Sequence, residues 1–143
     1  MGSAAYSNLA HPDAFRSDPD ESPARLEEGV LPSRLVRAVQ AGRRRRVALF
    51  EAEMFSDPAW DILLELYALH LEQQRASVSS LYVASSVPGS TAVRWIAKLE
   101  KDGLIARSED ALDARRSWIK LTPDGVGRMR RFFEMLPLAV VSV

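Results

Sequence analysis

The sequence predicts a mainly α-helical domain carrying one small β-hairpin, and three observations predict it. Apolar residues recur at helical spacing through most of the chain. Between Leu104 and Leu121 that spacing shortens to the alternation of strands. The boundaries are marked by Pro, Gly or short polar residues of the kind that start and stop helices. The 143 residues, 47% apolar and 27% charged, are enough for one ordinary domain with a real core.

The first stretch, residues 1–22, mixes Ser, Asp, Pro and Gly without apolar period and reads as a flexible acidic arm. A helical pattern begins at Pro32, with Ser33 as its cap and Leu35, Val36 and Val39 on one stripe. Gly42 weakens that helix by about 1 kcal/mol relative to Ala. After the run Arg43 to Arg46 the stripe resumes at Val47, Phe50 and Met54, so from Pro32 there is one long helix or two short ones, within an N-terminal helical segment at 23–54. Ser56-Asp57-Pro58 starts the next helix: a short polar side chain accepts the first free N–H groups, and Pro at the first helical position loses no hydrogen bond. That helix runs through Trp60, Leu63, Leu64, Tyr67 and Leu71 and ends at Arg75 and Ala76.

Val78 reads as an isolated strand residue, and Ser79 or Ser80 caps a short helix holding Leu81, Tyr82 and Ala84. Ser85 to Gly89 is a tight turn, a further helix spans about Ser90 to Asp102, and Gly103 supplies the left-handed stop. Leu104 to Arg107 and Ser117 to Leu121 read as strands joined by a polar loop. Thr122-Pro123 opens the last helix, striped by Val126, Met129, Phe133 and Leu136, and an apolar tail from Ala139 to Val143 follows. Helix, short helix, tight turn, helix and hairpin is the order of a winged helix-turn-helix.

Nineteen bases against nineteen acids give a formal charge of zero, a poor advertisement for nucleic acid. The zero conceals a gradient. Residues 1–30 carry four more acids than bases, whereas Arg75 to Arg131 holds eleven bases against six acids. Screening beyond about 10 Å makes the local balance count for more than the sum. In the helix after the turn, Ala92, Trp95, Ile96 and Leu99 share the core side, leaving Ser90, Thr91, Arg94, Lys98 and Lys101 opposite. Such a face suits a major groove: the small hydroxyls approach closely, and Arg94 is long enough to donate two hydrogen bonds to guanine. The hairpin tip sets Arg115 and Arg116 beside Asp110 and Asp113. A carboxylate there can hold a guanidinium extended towards a minor groove.

The stretch Asp110-Ala-Leu-Asp113-Ala-Arg115, then Ile119-Lys-Leu121-Thr122-Pro-Asp-Gly125, resembles the wing, second strand and following helix start of the MarR family of bacterial transcription regulators. Arg94, followed by Leu99-Glu100-Lys-Asp-Gly103-Leu104-Ile105 and Arg107, resembles that family's recognition helix and first wing strand. The resemblance covers Asp57 to Arg131, about half the chain. It implies a sequence-specific regulator: a homodimer on a pseudo-palindromic double-stranded operator, with recognition helices in the major groove and wings in the minor groove. It carries over Thr91, Arg94 and Lys98 as groove contacts, Arg115 as the wing-tip contact and Asp113 as its orienting partner. Few residues follow Thr122, so dimerisation falls to residues 23–54 and 123–143, flanking a DNA-binding region at 55–122. A small-molecule effector of unknown identity is compatible with this reading.

The alternative function is a winged-helix protein–protein interaction module without DNA binding, told apart by its weak response to salt. The absence of cysteine excludes a disulfide scaffold, a thiolate zinc site and a cysteine nucleophile. His11 and His70 lie far apart, and the serines lack a base, so neither metal, cofactor nor catalysis is expected. With neither an apolar run of about eighteen residues nor an export signal, a soluble, cytoplasmic protein is expected. The run Arg43 to Arg46 points all round a helix and is expected to be solvated and partly paired within the chain. The acidic residues Asp13 to Glu28 raise the idea of an autoinhibitory phosphate mimic, against the simpler one of an inert tail.

Overall fold

The computed structural model describes residues 23–113 and 115–136, with side chains from Pro32 onward except at Ala52. The expected arm at 1–22 and the apolar tail from Ala139 lie outside the described residues. Helix α1 (Pro23–Leu49) is followed by a 3₁₀ turn (Ala52–Phe55), α2 (Pro58–Leu71), strand β1 (Ala76–Ser77), α3 (Val78–Ser85) and α4 (Gly89–Lys101). Strands β2 (Ile105–Glu109) and β3 (Ser117–Leu121) and helix α5 (Pro123–Glu134) complete the order.

Helix α1 is one long helix that begins nine residues before the expected start, at Pro23. Pro is preformed for a first helical position, and the Ala-Arg-Leu-Glu-Glu that follows consists of good helix formers. Ser33 therefore caps nothing. It is buried inside α1, and its hydroxyl donates to Glu72 Oε2 over 3.1 Å. The same carboxylate receives Arg37, whose guanidinium also meets Glu65 at 2.7 Å, while Gln40 Nε2 donates to Glu65 at 2.7 Å. Arg43 pairs with Asp61 at 2.5 Å, and the Arg46 guanidinium lies over the Phe55 ring at 4.6 Å. The arginine run is thus partly paired within the chain, as expected, and these contacts latch α1 along α2. The stripe expected to continue through Phe50 and Met54 does not reach the core, because α1 stops at Leu49; both side chains are exposed.

Helix α2 is the centre of the domain. Ile62, Leu64, Leu66, Tyr67, Ala68 and Leu69 are buried, while Trp60, Leu63 and Leu71 pack partly buried against the core. The buried surface is wider than one stripe, since α1, α3, α4, α5 and β3 all pack on this helix and leave it little solvent face. It ends at Leu71, earlier than expected; Gln73 then takes a positive φ of 56°.

The sheet also departs from expectation. It has three strands in the order β1-β3-β2, because Ala76 and Ser77 pair antiparallel with Ile119 and Trp118. Val78 is not a strand residue but the first of α3, and Ser77 rather than Ser79 or Ser80 is the cap, its hydroxyl accepting from Ser80 N at 3.1 Å. Strand β2 runs two residues further than expected, to Glu109, in register with Ser117. The lower core joins Leu81, Ile96, Leu99, Ile105, Ile119, Leu121, Val126, Met129 and Phe133.

Candidate nucleic-acid interface

Helix α4 is held by its buried residues. Ala92, Ile96 and Leu99 are within the core and Trp95 is half-buried against it, as the spacing predicts. The turn before it is set by Ser86 in the left-handed region at φ 55°, and Pro88 O accepts from Thr91 N and Ala92 N to begin the first turn. At about 100° per residue, Ser90, Arg94, Ala97, Lys98 and Lys101 fall on the side opposite the core, and all five are exposed. Thr91 is half-buried on one flank; Val93, 46% exposed, stands on the other. Val93 and Ala97 were not among the expected site residues, although the same angular arithmetic finds them.

The cations on this face are free to reach outward. Lys98 Nζ meets Asp102 at 3.2 Å in an exposed i, i+4 pair, a contact weak enough to exchange for a phosphate. Among the described residues, neither Arg94 nor Lys101 has a carboxylate partner. At the far end, Glu100 pairs with Arg107 at 3.7 Å, and Gly103 turns the chain into β2 with a φ of 76°. Only a residue without a Cβ takes that conformation cheaply. Thr122 then ties the end of α4 to the start of α5: its hydroxyl donates to Gly103 O at 2.6 Å and accepts from Gly125 N at 3.1 Å.

The wing is a compact tip on the β2–β3 ladder. Asp110 N donates to Arg116 O at 3.0 Å and Arg116 N to Asp113 O at 2.9 Å, closing the loop. Asp110 Oδ1 accepts from Leu112 N at 2.9 Å, and Asp113 Oδ1 accepts from both the backbone N (3.0 Å) and the Nε (3.2 Å) of Arg115. The expected Asp113–Arg115 contact is therefore present. With the Arg115 side chain 92% exposed, this pair adds little stability; what it does is limit where the guanidinium points. Arg116 is exposed beside it, and Leu112, an exposed apolar residue absent from the expected site, lies on the same tip.

A short helix, a tight turn and a second helix, leading into a projecting two-stranded ribbon with a third strand at its root, define a winged helix-turn-helix. Residues 55–117 match the MarR family, over the segment that holds α2, α4 and the wing. Among solved structures, the chain is similar to a MepR variant from a multidrug-resistant S. aureus clinical isolate, at 26% identity and a TM-score of 0.53, covering 77% of this chain and 81% of that one. It is similar in fold to S. aureus MepR in its DNA-binding conformation, at 24% identity and TM-score 0.52, over 79% of this chain and 81% of that one. A MepR–DNA complex from S. aureus gives 26% identity and TM-score 0.50, over 70% and 80%. A search of curated proteins finds no match. The family match thus bears out the resemblance from the start of α2 to the end of the wing loop, and the motif from Ile119 to Gly125 lies beyond it.

Proposed function

We propose that the protein is a sequence-specific, double-stranded DNA-binding transcription regulator of MarR type. Helix α4 lies in the major groove and the wing in the adjacent minor groove. The observation that carries this reading is the exposed face of α4: an arginine and two lysines without a buried role, on a helix fixed from behind by Ala92, Ile96 and Leu99. Ser90, Thr91, Arg94, Lys98 and Lys101 are the groove-facing set, Arg115 and Arg116 the wing contacts, and Asp113 the residue that orients Arg115. The likeness to S. aureus MepR, a relative solved in complex with DNA, supports the same reading.

Residues 55–122 form the DNA-binding region, and residues 23–54 and 123–143 dimerise. Leu49 at the end of α1, Phe50 and Met54 in the turn that follows it, and Phe132 and Met135 about the end of α5 are exposed apolar side chains in support of that division. A two-fold dimer places two α4 helices on a pseudo-palindromic site. Among the described residues no helix is long and apolar enough to cross a membrane, and the protein acts in the cytoplasm, by binding rather than catalysis.

Selection of bound duplexes from a random-sequence pool tests the proposal. It should enrich one motif with half-sites separated by about one or two helical turns. Arg94→Ala should then cost about 1 to 3 kcal/mol and relax the choice of base at one position per half-site. Recovery of no motif, with Arg94→Ala indistinguishable from wild type, would sink it.

A further inference from the structure

On the α4 face one feature is neither charged nor polar. Val93 is 46% exposed, and Ala97, one helical turn further on, is exposed as well. Residues four apart stand one above the other on a helix, so the two make a short apolar strip. Along the helix it runs beside Ser90, Arg94 and Lys101 on one side and Glu100 on the other, each of which is exposed. Neither Val93 nor Ala97 is among the buried residues of the helix, which are Ala92, Ile96 and Leu99; Val93 stands on a flank of that buried side, and Ala97 turns away from it. Val is also a poorer helix former than Ala, Leu or the charged residues around it, so local helix formation does not favour it there.

In a major groove, one group on the base edges is matched by such a strip: the C5-methyl of thymine, which makes apolar contact and accepts no hydrogen bond. Building on the DNA-binding reading above, we infer that Val93, supported by Ala97, reads a thymine methyl in each half-site, next to the base read by Arg94. Val93 suits the task because a branched side chain has few rotamers and keeps its methyls in one place. Ala97 gives the thymine room, since its side chain is a single methyl that lets the groove edge come close. The strip therefore adds a second, apolar determinant of specificity beside the hydrogen-bond donors Ser90, Arg94 and Lys101.

Uracil differs from thymine only in lacking that methyl, which makes it the probe. A duplex recovered by selection is compared with versions in which each thymine is replaced singly by deoxyuridine, against wild type, Val93→Ser and Val93→Thr. Burying one methyl is worth about fourfold in affinity. Wild type should therefore lose about fourfold at one thymine per half-site, and more when both half-sites are substituted. Val93→Ser removes the contact from both subunits, so it should bind the thymine duplex about sixteenfold more weakly and show no further loss with uracil at that position. Val93→Thr, which keeps the shape and one methyl, should retain part of the discrimination. Because Val93 lies outside the core, unchanged melting temperatures confirm that the variants are folded.

Tight binding of the selected duplex with no uracil sensitivity at any thymine overturns the inference while leaving DNA binding intact. Equal uracil sensitivity in wild type and Val93→Ser assigns the methyl contact to another residue and also overturns it. If no duplex is enriched at all, the DNA-binding reading fails and takes this inference with it.

Discussion

A single methyl added at Gly125 should do more damage than the loss of any exposed charge. Gly125 is buried in the first turn of α5, and its N–H is held by the Thr122 hydroxyl. A Cβ built there meets the Leu104 carbonyl oxygen well inside contact distance, with Leu104 C and Leu121 Cδ2 each at 3.2 Å. The oxygen belongs to the backbone that leaves α4, and it already accepts from Thr122 N at 3.0 Å. To admit the methyl, α5 must move off the end of the recognition helix and weaken that bond. Overpacking costs about 1 to 3 kcal/mol and a compromised buried hydrogen bond about 1 more. The better helix propensity of Ala returns up to about 1. Gly125→Ala should thus lose about 1 to 3 kcal/mol, or about 4 to 12 °C in melting temperature for a domain of this size. Gly127 is the control. It lies in the same helix with nothing within 4 Å of a built Cβ, so Gly127→Ala should gain up to about 1 kcal/mol. Urea and thermal unfolding followed by circular dichroism measure both; a Gly125→Ala protein that melts within a degree of wild type would refute the packing argument.

Other outcomes follow from the latch and the wing. Arg37→Ala leaves Glu65 and Glu72 without their shared cation and should destabilise by about 1 to 2 kcal/mol, discounted because the site is part exposed, as read by urea unfolding. The hydrogen bond from Arg37 holds the Glu72 carboxyl below its ordinary value of 4.5. A lowered folded-state pKa stabilises above the unfolded value and is lost as pH falls through the folded one. Stability should therefore drop below about pH 4.5, and Arg37→Ala should flatten that drop in a pH series of melts. Asp113→Ala frees Arg115 from its anchor and should weaken DNA binding by about two- to fivefold with no change in melting temperature, as measured by fluorescence anisotropy.

Much of the fold was legible because its signals are local. Pro58, Gly103 and Thr122-Pro123 mark the boundaries where they are needed, through local preferences that hold in any context, although Asp57 makes none of the side-chain cap bonds expected at the start of α2. Strand β1 was not legible: Ala76 and Ser77 are extended because Ile119 and Trp118, far along the chain, offer them an edge. Ser33 resembled a cap because its partner, Glu72, is distant in sequence and close in space. Of the site, the charged face of α4 and the Asp113–Arg115 pair were visible as motifs. Leu112 was not, since an apolar residue in a loop signals a core position until its exposure is known; Val93 and Ala97 lie off the core side by helical spacing alone, but their apolar character set them apart from the charged face.

The most direct test of the whole account is the salt dependence of binding to a selected duplex. If Arg94, Lys98, Lys101 and the wing arginines of two subunits meet DNA, affinity should fall steeply from about 50 to 200 mM salt, linearly on logarithmic axes. Arg115→Ala should make that slope shallower by about one for each phosphate that the bound dimer then leaves unneutralised. An affinity that barely responds to salt, with the same slope in Arg115→Ala, would contradict it.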